Sequence, residues 1–424
     1  MNILIKDILA VLPDGVETCS VYISGGLIVS VSEEPAGFRA DKTIFGAGKL
    51  LIPGLINAHT HAPMAIFRNC ADDLLFNDWL FGRIFPLEEK LEPEDCYWGT
   101  MLAIMEMLRN GTTSFIDMYH PDECSRAAEE TGIRTVQSRG LLGGADDPEA
   151  GERRLRTALE EIEKWKGHDN ISFMLAPHAP YTCDEGYQRE IAAEAKRLAL
   201  PINTHISESL AENETIRERY GCTPTELFDR AGLLTGTTVA AHCVHLTDSD
   251  IEILADRGVH VVTNPVSNLK LANGVAPVMK MLKAGVKIAL GTDSAASNNS
   301  LNMFRDLSML TLIHKGVNHN AQAISAREGF NIATKNGAAA MGINNLGEIK
   351  PGYIADLCIL DLDRPNMQPV NDPVAALAYS ANGSEVEAVI VGGKILMENR
   401  EFANIDSARV VYEVNKICER IGTR

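Results

Sequence analysis

Residues 53–64 read PGLINAHTHAPM, a short apolar run that ends in two histidines two positions apart. A run of this kind, bounded by Pro and Gly, is typical of a buried β-strand. Alternate residues of a strand lie on one face, so His59 and His61 project their imidazoles in the same direction. Two explanations remain open here: a strand that carries histidines by chance, or two ligands of one metal site.

Seven further apolar runs follow along the chain, with longer segments of helical period between them. This alternation predicts repeated βα units and an α/β fold with a parallel sheet. Eight such units over residues 54–345 favour a closed (β/α)8 barrel of the TIM type, and a doubly wound open sheet is the alternative. The predicted strands are GLINAH (54–59), TTSFIDM (112–118), RTVQSR (134–139), ISFMLAPH (171–178), LPINTH (200–205), TVAAHC (238–243), VHVVTN (259–264) and VKIALGTD (286–293).

Both ends of the chain differ from this central part. Residues 1–53 contain short alternating segments separated by Gly, Asp and Pro, which predict strands with tight turns. Residues 346–424 return to that pattern and close with a predicted helix over residues 405–421. We therefore expect the two ends to pair into one small β-sandwich domain beside the barrel at residues 54–345.

Composition excludes several classes of partner. The 424 residues carry a formal net charge of −18, which disfavours a nucleic-acid backbone or an anionic membrane. The nine cysteines are scattered without CxxC spacing, as expected for reduced thiols. The N-terminus lacks the pattern of a signal peptide, and no apolar run approaches the roughly 18 residues of a membrane span. We expect a cytoplasmic protein.

Polar residues fall where the predicted strands end. In a parallel barrel the functional groups lie at the carboxyl ends of the strands. Five of the 11 histidines and one aspartate occupy such positions, which random placement would rarely achieve. Five other histidines lack this context and are treated as ordinary, namely His120, His168, His260, His314 and His319. The residues at the strand ends are His59, His61, His178, His205, His242 and Asp293.

Four of these residues form a set of metal ligands. The three imidazoles of His59, His61 and His205 with the Asp293 carboxylate suit Zn²⁺ or Fe²⁺. A water in an open coordination position would have its pKa lowered from about 16 toward 7.

Two further residues fit the chemistry of such a centre. Glu208 follows His205 by three positions, and we expect it to move protons without binding the metal, although a solvated loop carboxylate is the alternative. His242 is placed to hydrogen-bond the metal-bound hydroxide or the oxygen of the transition state.

The motifs resemble the amidohydrolase superfamily, in its branch of metal-dependent aminohydrolases, over nearly the whole chain. Within that branch the chain is most similar to the 5-methylthioadenosine/S-adenosylhomocysteine deaminase family. The resemblance implies attack of a metal-bound hydroxide on C6 of an adenine, with release of ammonia and an inosine-type product. The motifs are PGLINAHTHAPM, HISES, AHCVHL, NPVSNLKLANG, LGTDSAASNNSLN and KPGYIADLCILDL.

The resemblance also implies roles for the residues of the centre. The family's ligands fall on His59, His61, His205 and Asp293, and its proton shuttle falls on Glu208, with Asp293 assisting. His242 takes the place of the histidine that orients the hydroxide. Other branches bridge two metals with a lysine at the end of the fourth strand, and ISFMLAPH has none. We expect one divalent metal, with Zn²⁺ preferred and Fe²⁺ or Mn²⁺ as alternatives.

The resemblance places two substrate contacts in NDWLFGRIFPLEEKL, residues 77–91. Trp79 would pack against the nucleoside, and Glu88 would accept hydrogen bonds from the two ribose hydroxyls. A solvated helix start is the alternative for Glu88, which is followed by Glu89 and Lys90.

Further substrate contacts are expected from later segments. His178 would contact the purine or the ribose, and Arg139 is placed to face the barrel mouth. The family's arginine for the carboxylate of a homocysteine tail falls within GERRLR, on Arg154, with Arg153 and Arg156 as open alternatives.

The expected substrates are S-adenosylhomocysteine and 5′-methylthioadenosine, with adenosine or 5′-deoxyadenosine as further candidates. A related aminohydrolase that acts on a free base or a triazine remains an alternative, as does a scaffold that has lost catalysis. Such a scaffold should lack a ligand, whereas all four ligands and Glu208 are present. Neither the native metal nor self-association into a homo-oligomer follows from the residues.

Overall fold

The computed structural model describes residues 1–144 and 147–423. Residues 145, 146 and 424, which fall within the predicted barrel and C-terminal segments, lie outside the described residues. The strands are β1 (Ile3–Leu12), β2 (Gly15–Ser24), β3 (Leu27–Val31), β4 (Lys42–Phe45), β5 (Lys49–Pro53), β6 (Leu55–Thr60), β7 (Thr112–Tyr119), β8 (Arg134–Leu141), β9 (Ile171–Phe173), β10 (Ala176–Pro177), β11 (Ile202–Ile206), β12 (Thr238–His242), β13 (His260–Thr263), β14 (Lys287–Leu290), β15 (Leu357–Asp361), β16 (Val386–Val391), β17 (Lys394–Glu398) and β18 (Glu401–Phe402).

Helices connect the central strands and close the chain. A π-helical turn at Leu80–Ile84 joins the first two helices into one segment, and short 3₁₀ turns lie at Ala62–Phe67 and Pro365–Met367. The helices are α1 (Phe76–Trp79), α2 (Phe85–Glu88), α3 (Pro93–Arg109), α4 (Pro121–Thr131), α5 (Pro148–Trp165), α6 (Glu185–Leu198), α7 (Leu210–Tyr220), α8 (Pro224–Ala231), α9 (Asp248–Arg257), α10 (Pro265–Lys270), α11 (Val278–Lys283), α12 (Met303–Val317), α13 (Ala326–Ile332), α14 (Lys335–Ala340), α15 (Pro373–Tyr379) and α16 (Ser407–Ile421).

The central part of the chain forms two parallel sheets. One sheet has the order β10–β8–β7–β6 with β9 also on β8, and the other has the order β11–β12–β13–β14. Each of the eight predicted runs contains a strand, but the fourth is split into β9 and β10. The strands are buried along almost their whole length, as expected for parallel strands covered on both faces. Within the described residues, no helix combines the length and the apolar character needed to cross a bilayer.

Hydrogen bonds also join the two sheets at both of their edges. At one edge the His205 N–H donates to the His178 carbonyl at 3.1 Å, and at the other the Asp293 N–H donates to the His59 carbonyl at 3.0 Å. Gly291 makes the second approach feasible, because a Cβ at this position would lie 2.7 Å from the His59 backbone nitrogen. The carboxyl ends of the first and last central strands are thereby held together.

The two ends of the chain pair with each other, as the sequence predicted. They form one nine-stranded sheet of order β18–β17–β16–β15–β5–β1–β2–β3, in which β4 also pairs with β1. The contact between β15 and β5 joins the C-terminal strands to the N-terminal strands, in an antiparallel register. One apolar cluster lies on one face of this sheet, and the other face contributes to the larger core shared with the central part.

A buried ion pair connects the end sheet to the central strands. Arg134, the first residue of β8, donates from Nε to Asp356 Oδ2 at 2.8 Å and from Nη2 to Oδ1 at 3.2 Å. The Gly392 N–H and the Ser114 hydroxyl supply two further hydrogen bonds to the same carboxylate. The two charged side chains are only 6% and 1% exposed. Hydrogen bonds from Arg134, Gly392 and Ser114 therefore converge on the single Asp356 carboxylate.

Replacement of Asp356 by Ala should lower the free energy of unfolding by about 3–5 kcal/mol, because the Arg134 guanidinium would remain buried without its partner. Denaturant titration measures this change. Glu163→Ala is the matched control, since Glu163 pairs with Lys166 at a site where both side chains are more than two-thirds exposed. The control should change stability by less than about 1 kcal/mol. Equal stability of the two variants would contradict the assigned role.

Candidate active site

Metal-binding side chains converge where the central strands end. His59 and His61 extend from the end of β6, His205 from β11, and Asp293 follows β14 by three residues. The His61 Nε2 lies 3.3 Å from the His205 Nε2 and 3.4 Å from the Asp293 Oδ1. The His59 Nε2 lies 3.7 Å from the same carboxylate oxygen. The four predicted ligands thus come together, although the first and the last of them lie more than 200 residues apart in the sequence.

The hydrogen bonds of these imidazoles fit a divalent metal. Neither ring nitrogen of the fully buried His59 has a hydrogen-bond partner among the residues that the structure describes. Burial, reinforced by the nearby imidazoles, lowers the pKa of His59 well below its usual value and keeps its lone pair available. The Nδ1 atoms of His61 and His205 face the carbonyls of Met118 and His178 at 2.7 and 2.6 Å. Those bonds direct both Nε2 atoms to the centre, as is usual for metal ligands.

Asp293 is held in place by hydroxyl and backbone donors. Its Oδ2 accepts from Ser267 at 2.6 Å and from Ser297 at 2.8 Å, and its Oδ1 accepts from the Ser294 N–H at 2.7 Å. Burial alone would raise the pKa of Asp293, but the neighbouring imidazoles and the Ser267 hydrogen bond lower it to about 2. The backbone of Asp293 is left-handed, with φ of 64°, which turns the side chain out of the strand direction.

Glu208 and His242 face each other beside this cluster. The Glu208 Oε2 lies 3.9 Å from the His242 Nε2, and its Oε1 accepts from Asn273 at 3.1 Å. The His242 Nδ1 lies 2.8 Å from the Asn268 Oδ1 and therefore donates to it. Burial raises the pKa of Glu208. Burial would lower the pKa of His242, but the Glu208 and Asp293 carboxylates outweigh this effect and raise it. At 3.9 Å no direct hydrogen bond joins the two side chains, and they interact through their charges.

A residue that the sequence analysis missed supports Glu208. The buried Glu212 carboxylate accepts from the backbone N–H groups of Ser207 at 2.8 Å and of Glu208 at 2.7 Å. Ser207 is left-handed, with φ of 50°, so these two bonds stabilise a strained turn. Burial raises the pKa of Glu212 to about 8. Glu212 therefore fixes the backbone that carries the predicted proton shuttle.

A cavity of about 500 Å³ opens from this cluster. Its volume lies within the range of about 300–1,000 Å³ that small-molecule sites occupy. His59 lies beneath the cavity rather than in its wall. The remaining predicted site residues line the wall, namely His61, Trp79, Glu88, Arg139, Arg154, His178, His205, Glu208, His242 and Asp293.

Glu88 faces the cavity from the last position of α2. Its Oε1 accepts a hydrogen bond of 2.7 Å from the Tyr119 hydroxyl. Burial raises the pKa of Glu88, while the Tyr119 bond and the more distant His61 lower it in part. The alternative of a solvated helix start does not describe this half-buried carboxylate.

The two arginines of the cavity wall differ in their partners. Arg139 is bound by the Glu161 carboxylate, with Nε–Oε2 and Nη2–Oε1 distances of 2.7 and 2.5 Å. Within the described residues, Arg154 donates to the Leu142 carbonyl alone, at 2.9 Å, and its side chain is exposed. Arg153 points away to a surface pair with Glu149, so Arg154 is the arginine of this segment that reaches the cavity.

His120 also lines the cavity, contrary to the sequence analysis. The second strand was predicted to end at Met118, whereas β7 continues to Tyr119. His120 is therefore the first residue beyond a strand, and a longer strand assignment would have identified it. Tyr119 and Tyr181, which the sequence analysis did not single out, lie in the same wall.

Comparison with known proteins supports the resemblance seen in the motifs. The family model described as "Amidohydrolase family" matches residues 50–396. A 5-methylthioadenosine/S-adenosylhomocysteine deaminase of Caldanaerobacter subterraneus subsp. tengcongensis is 45% identical over 99% of each chain. The structure of an adenosine deaminase from Xanthomonas campestris with bound zinc has a TM-score of 0.95 and 34% identity, and covers 100% of this chain and 99% of its own.

A third relative shows the fold alone. The zinc complex of atrazine chlorohydrolase from Arthrobacter aurescens TC1 has a TM-score of 0.90 at 24% identity, and covers 98% of this chain and 99% of its own. The chain belongs to the amidohydrolase family and, within it, to the family of 5-methylthioadenosine/S-adenosylhomocysteine deaminases.

The geometry predicts which histidines the metal needs. The ligand atoms of His59, His61 and Asp293 lie within 4.8 Å of one another, but so do those of His59, His205 and His242. Because the His242 Nε2 faces Glu208, we expect the His242→Asn variant to retain its metal. The His59→Ala variant should lose most of it, since His59 belongs to both groups. Elemental analysis of the purified variants measures the content. Metal loss from His242→Asn with retention by His59→Ala would overturn this assignment.

Proposed function

We propose that this chain is a metal-dependent hydrolase that deaminates adenine nucleosides. S-adenosylhomocysteine and 5′-methylthioadenosine are the proposed substrates, with adenosine and 5′-deoxyadenosine as further candidates. The proposal rests chiefly on one observation: the ligand cluster and Glu208 open into a cavity whose wall carries both Glu88 and Arg154. The deaminase names of relatives about 45% identical support the same substrate class. Each turnover would consume one water and release one ammonia.

The donor set would hold one divalent metal through His59, His61, His205 and Asp293, with Zn²⁺ the first candidate and Fe²⁺ or Mn²⁺ the alternatives. When bound, a metal in such a site supplies Lewis-acid activation of water near neutral pH. The described residues at the end of the fourth strand include no lysine, which supports one metal rather than two.

Glu208 is the proposed proton shuttle. Its buried carboxylate would take one proton from the attacking water and deliver it to N1 of the purine, and would then transfer the second proton from the C6 hydroxyl to the departing amine. A C6–O bond forms and the C6–N bond breaks, so one proton of the water stays on N1 of the product and the other leaves with ammonia. Asp293, whose orientation is fixed by two serine hydroxyls, would assist in this transfer. His242, whose pKa is raised by the Glu208 and Asp293 carboxylates, would donate from the Nε2 of its protonated ring to the oxygen at C6, while its Nδ1 donates to Asn268.

The cavity wall supplies contacts for the rest of a nucleoside. Glu88 would accept hydrogen bonds from the 2′- and 3′-hydroxyls, and Trp79 would pack against the nucleoside. The His178 Nδ1 lies 3.0 Å from the Thr182 hydroxyl, which leaves Nε2 for the purine or the ribose. Burial lowers the pKa of His178 to about 3, so this imidazole is neutral at the pH of an ordinary assay.

Two arginines are proposed for the 5′ substituent. Arg154 would bind the carboxylate of a homocysteine tail, since its exposed guanidinium lines the cavity and its one partner among the described residues is the Leu142 carbonyl. Arg139 would contribute less, because Glu161 already offsets its charge.

The alternatives are less well supported. A free base or a triazine has no ribose and would leave the half-buried Glu88 carboxylate without donors from the ligand. A scaffold without catalysis would not require the four ligands, Glu208 and the supporting Glu212 to be retained together. The relatives that act on triazines share the fold at 24% identity, which carries no information on substrate.

We also infer that the two parallel sheets are halves of one closed (β/α)8 barrel. The hydrogen bonds at both edges, from His205 to His178 and from Asp293 to His59, support closure. The proposed domains are a barrel at residues 54–345 and a small β-domain from residues 1–53 and 346–424. An irregularity in β1 between Ile5 and Ile8 supports a bend of the nine-stranded sheet into a sandwich.

The proposed setting is the cytoplasm, with a small nucleoside as the ligand. All nine cysteines, which lie within the described ranges, carry free thiols, in keeping with a reducing compartment. The net charge of −18 supports the exclusion of nucleic acid and of an anionic membrane. Self-association into a homo-oligomer remains a proposal drawn from the family resemblance.

A panel of adenine nucleosides that differ at the 5′ position tests the function. The metal-loaded protein should cause loss of the adenine absorbance and release of ammonia, fastest with S-adenosylhomocysteine or 5′-methylthioadenosine. Glu208→Gln is the matched control and should lower kcat by about 10²–10⁴-fold while metal content is unchanged. If no nucleoside reacts with the unaltered protein, the substrate claim is wrong.

The role of Arg154 predicts a substrate-specific defect. Arg154→Ala should raise KM for S-adenosylhomocysteine by about 10–100-fold, which corresponds to loss of a hydrogen-bonded charge pair. KM for 5′-methylthioadenosine, which has no carboxylate, should stay within about twofold. Arg153→Ala is the control and should affect neither nucleoside. A similar rise in KM for both nucleosides with Arg154→Ala would rule out a tail contact.

A further inference from the structure

Tyr119 and Glu88 reach the cavity wall from different parts of the chain and meet there. Tyr119 is the last residue of β7, and Glu88 is the last residue of α2. The Tyr119 hydroxyl donates to the Glu88 Oε1 at 2.7 Å, and both side chains line the cavity. The other carboxylate oxygen of Glu88, Oε2, has no hydrogen-bond partner among residues 1–144 and 147–423.

The protonation state of Tyr119 determines the direction of this hydrogen bond. Burial and the adjacent Glu88 carboxylate raise the pKa of Tyr119 well above its usual value. The phenol therefore keeps its proton and donates across any ordinary assay pH. A carboxylate offers about four acceptor positions, of which the phenol uses one on Oε1. Three positions remain for donors from a ligand.

We propose that Tyr119 is a positioning residue that sets selectivity for ribonucleosides over deoxyribonucleosides. The terminal torsion of a glutamate is broad, so an isolated carboxylate can rotate. The Tyr119 hydrogen bond holds Glu88 with its free acceptor positions toward the cavity, ready for the 2′- and 3′-hydroxyls. This inference rests on the proposed function, and it adds a residue outside the predicted set of substrate contacts.

The same hydrogen bond also connects α2 to β7, and a purely structural role for Tyr119 predicts a different result. A structural connection would affect the binding of every ligand of the cavity equally, whether or not the ligand has a diol. Orientation of Glu88 instead matters only to ligands that donate to its carboxylate. The two roles are therefore separated by substrates that differ at the ribose alone.

The test compares adenosine with 2′,3′-dideoxyadenosine, which lacks both hydroxyls, in the metal-loaded full chain. Tyr119→Phe should raise KM for adenosine by about tenfold, as expected for loss of one hydrogen bond to a charged group, with kcat within about twofold. KM for 2′,3′-dideoxyadenosine should change less, so that the preference for the ribonucleoside falls. In a Glu88→Ala background, Tyr119→Phe should have no further effect on that preference.

Tyr97→Phe is the matched control. Tyr97 also donates to a glutamate, Glu130, at 2.7 Å, but it is not among the residues of the cavity wall. This variant should leave the preference unchanged. Equal rises in KM for both nucleosides with Tyr119→Phe, or no rise for either, would overturn the proposal. Failure of the proposed function is distinguishable, because the unaltered protein would then deaminate no nucleoside.

Discussion

The hydrogen bond from the Asp293 N–H to the His59 carbonyl, 3.0 Å long, joins the ends of the first and last central strands. It brings the Asp293 carboxylate within 3.7 Å of His59 and 3.4 Å of His61. The approach requires glycine at position 291, since any Cβ there would meet the His59 backbone. A carboxylate and two imidazoles are thus brought into one ligand set by a backbone contact rather than by their own attraction.

Strained backbone recurs around this ligand set. Ser207, His242 and Asp293 are all left-handed, a conformation that costs a non-glycine residue on the order of 1–3 kcal/mol. Each strained position is stabilised by a local hydrogen bond. Glu212 accepts from the Ser207 N–H, and Asn264 accepts from the His242 N–H at 3.3 Å. Because these supports are buried, the side chains of the site are held in place before a ligand binds.

Much of this arrangement could be predicted from sequence, because strands in a parallel sheet are short apolar runs and their ends carry function. All eight runs contain strands, and the residues expected at their ends converge. The split of the fourth strand was not predictable, since Met174 and Leu175, which separate β9 from β10, are both apolar. Glu161 and Tyr119 were missed for another reason: their roles depend on partners in other elements, and a single sequence does not reveal such pairings. Glu212 binds backbone groups only four and five residues before it, but the residue types alone do not show the turn that brings them together.

The proposed chemistry and the arrangement of the four ligands both predict that activity depends on a bound metal. Metal-free protein can be prepared with a chelator and titrated with Zn²⁺ while deamination of S-adenosylhomocysteine and bound metal are both measured. The rate should rise in proportion to bound metal and level off at about one ion per chain, as one ligand set predicts. Full activity in the metal-free protein, or a requirement for two ions, would contradict a single metal centre formed by His59, His61, His205 and Asp293.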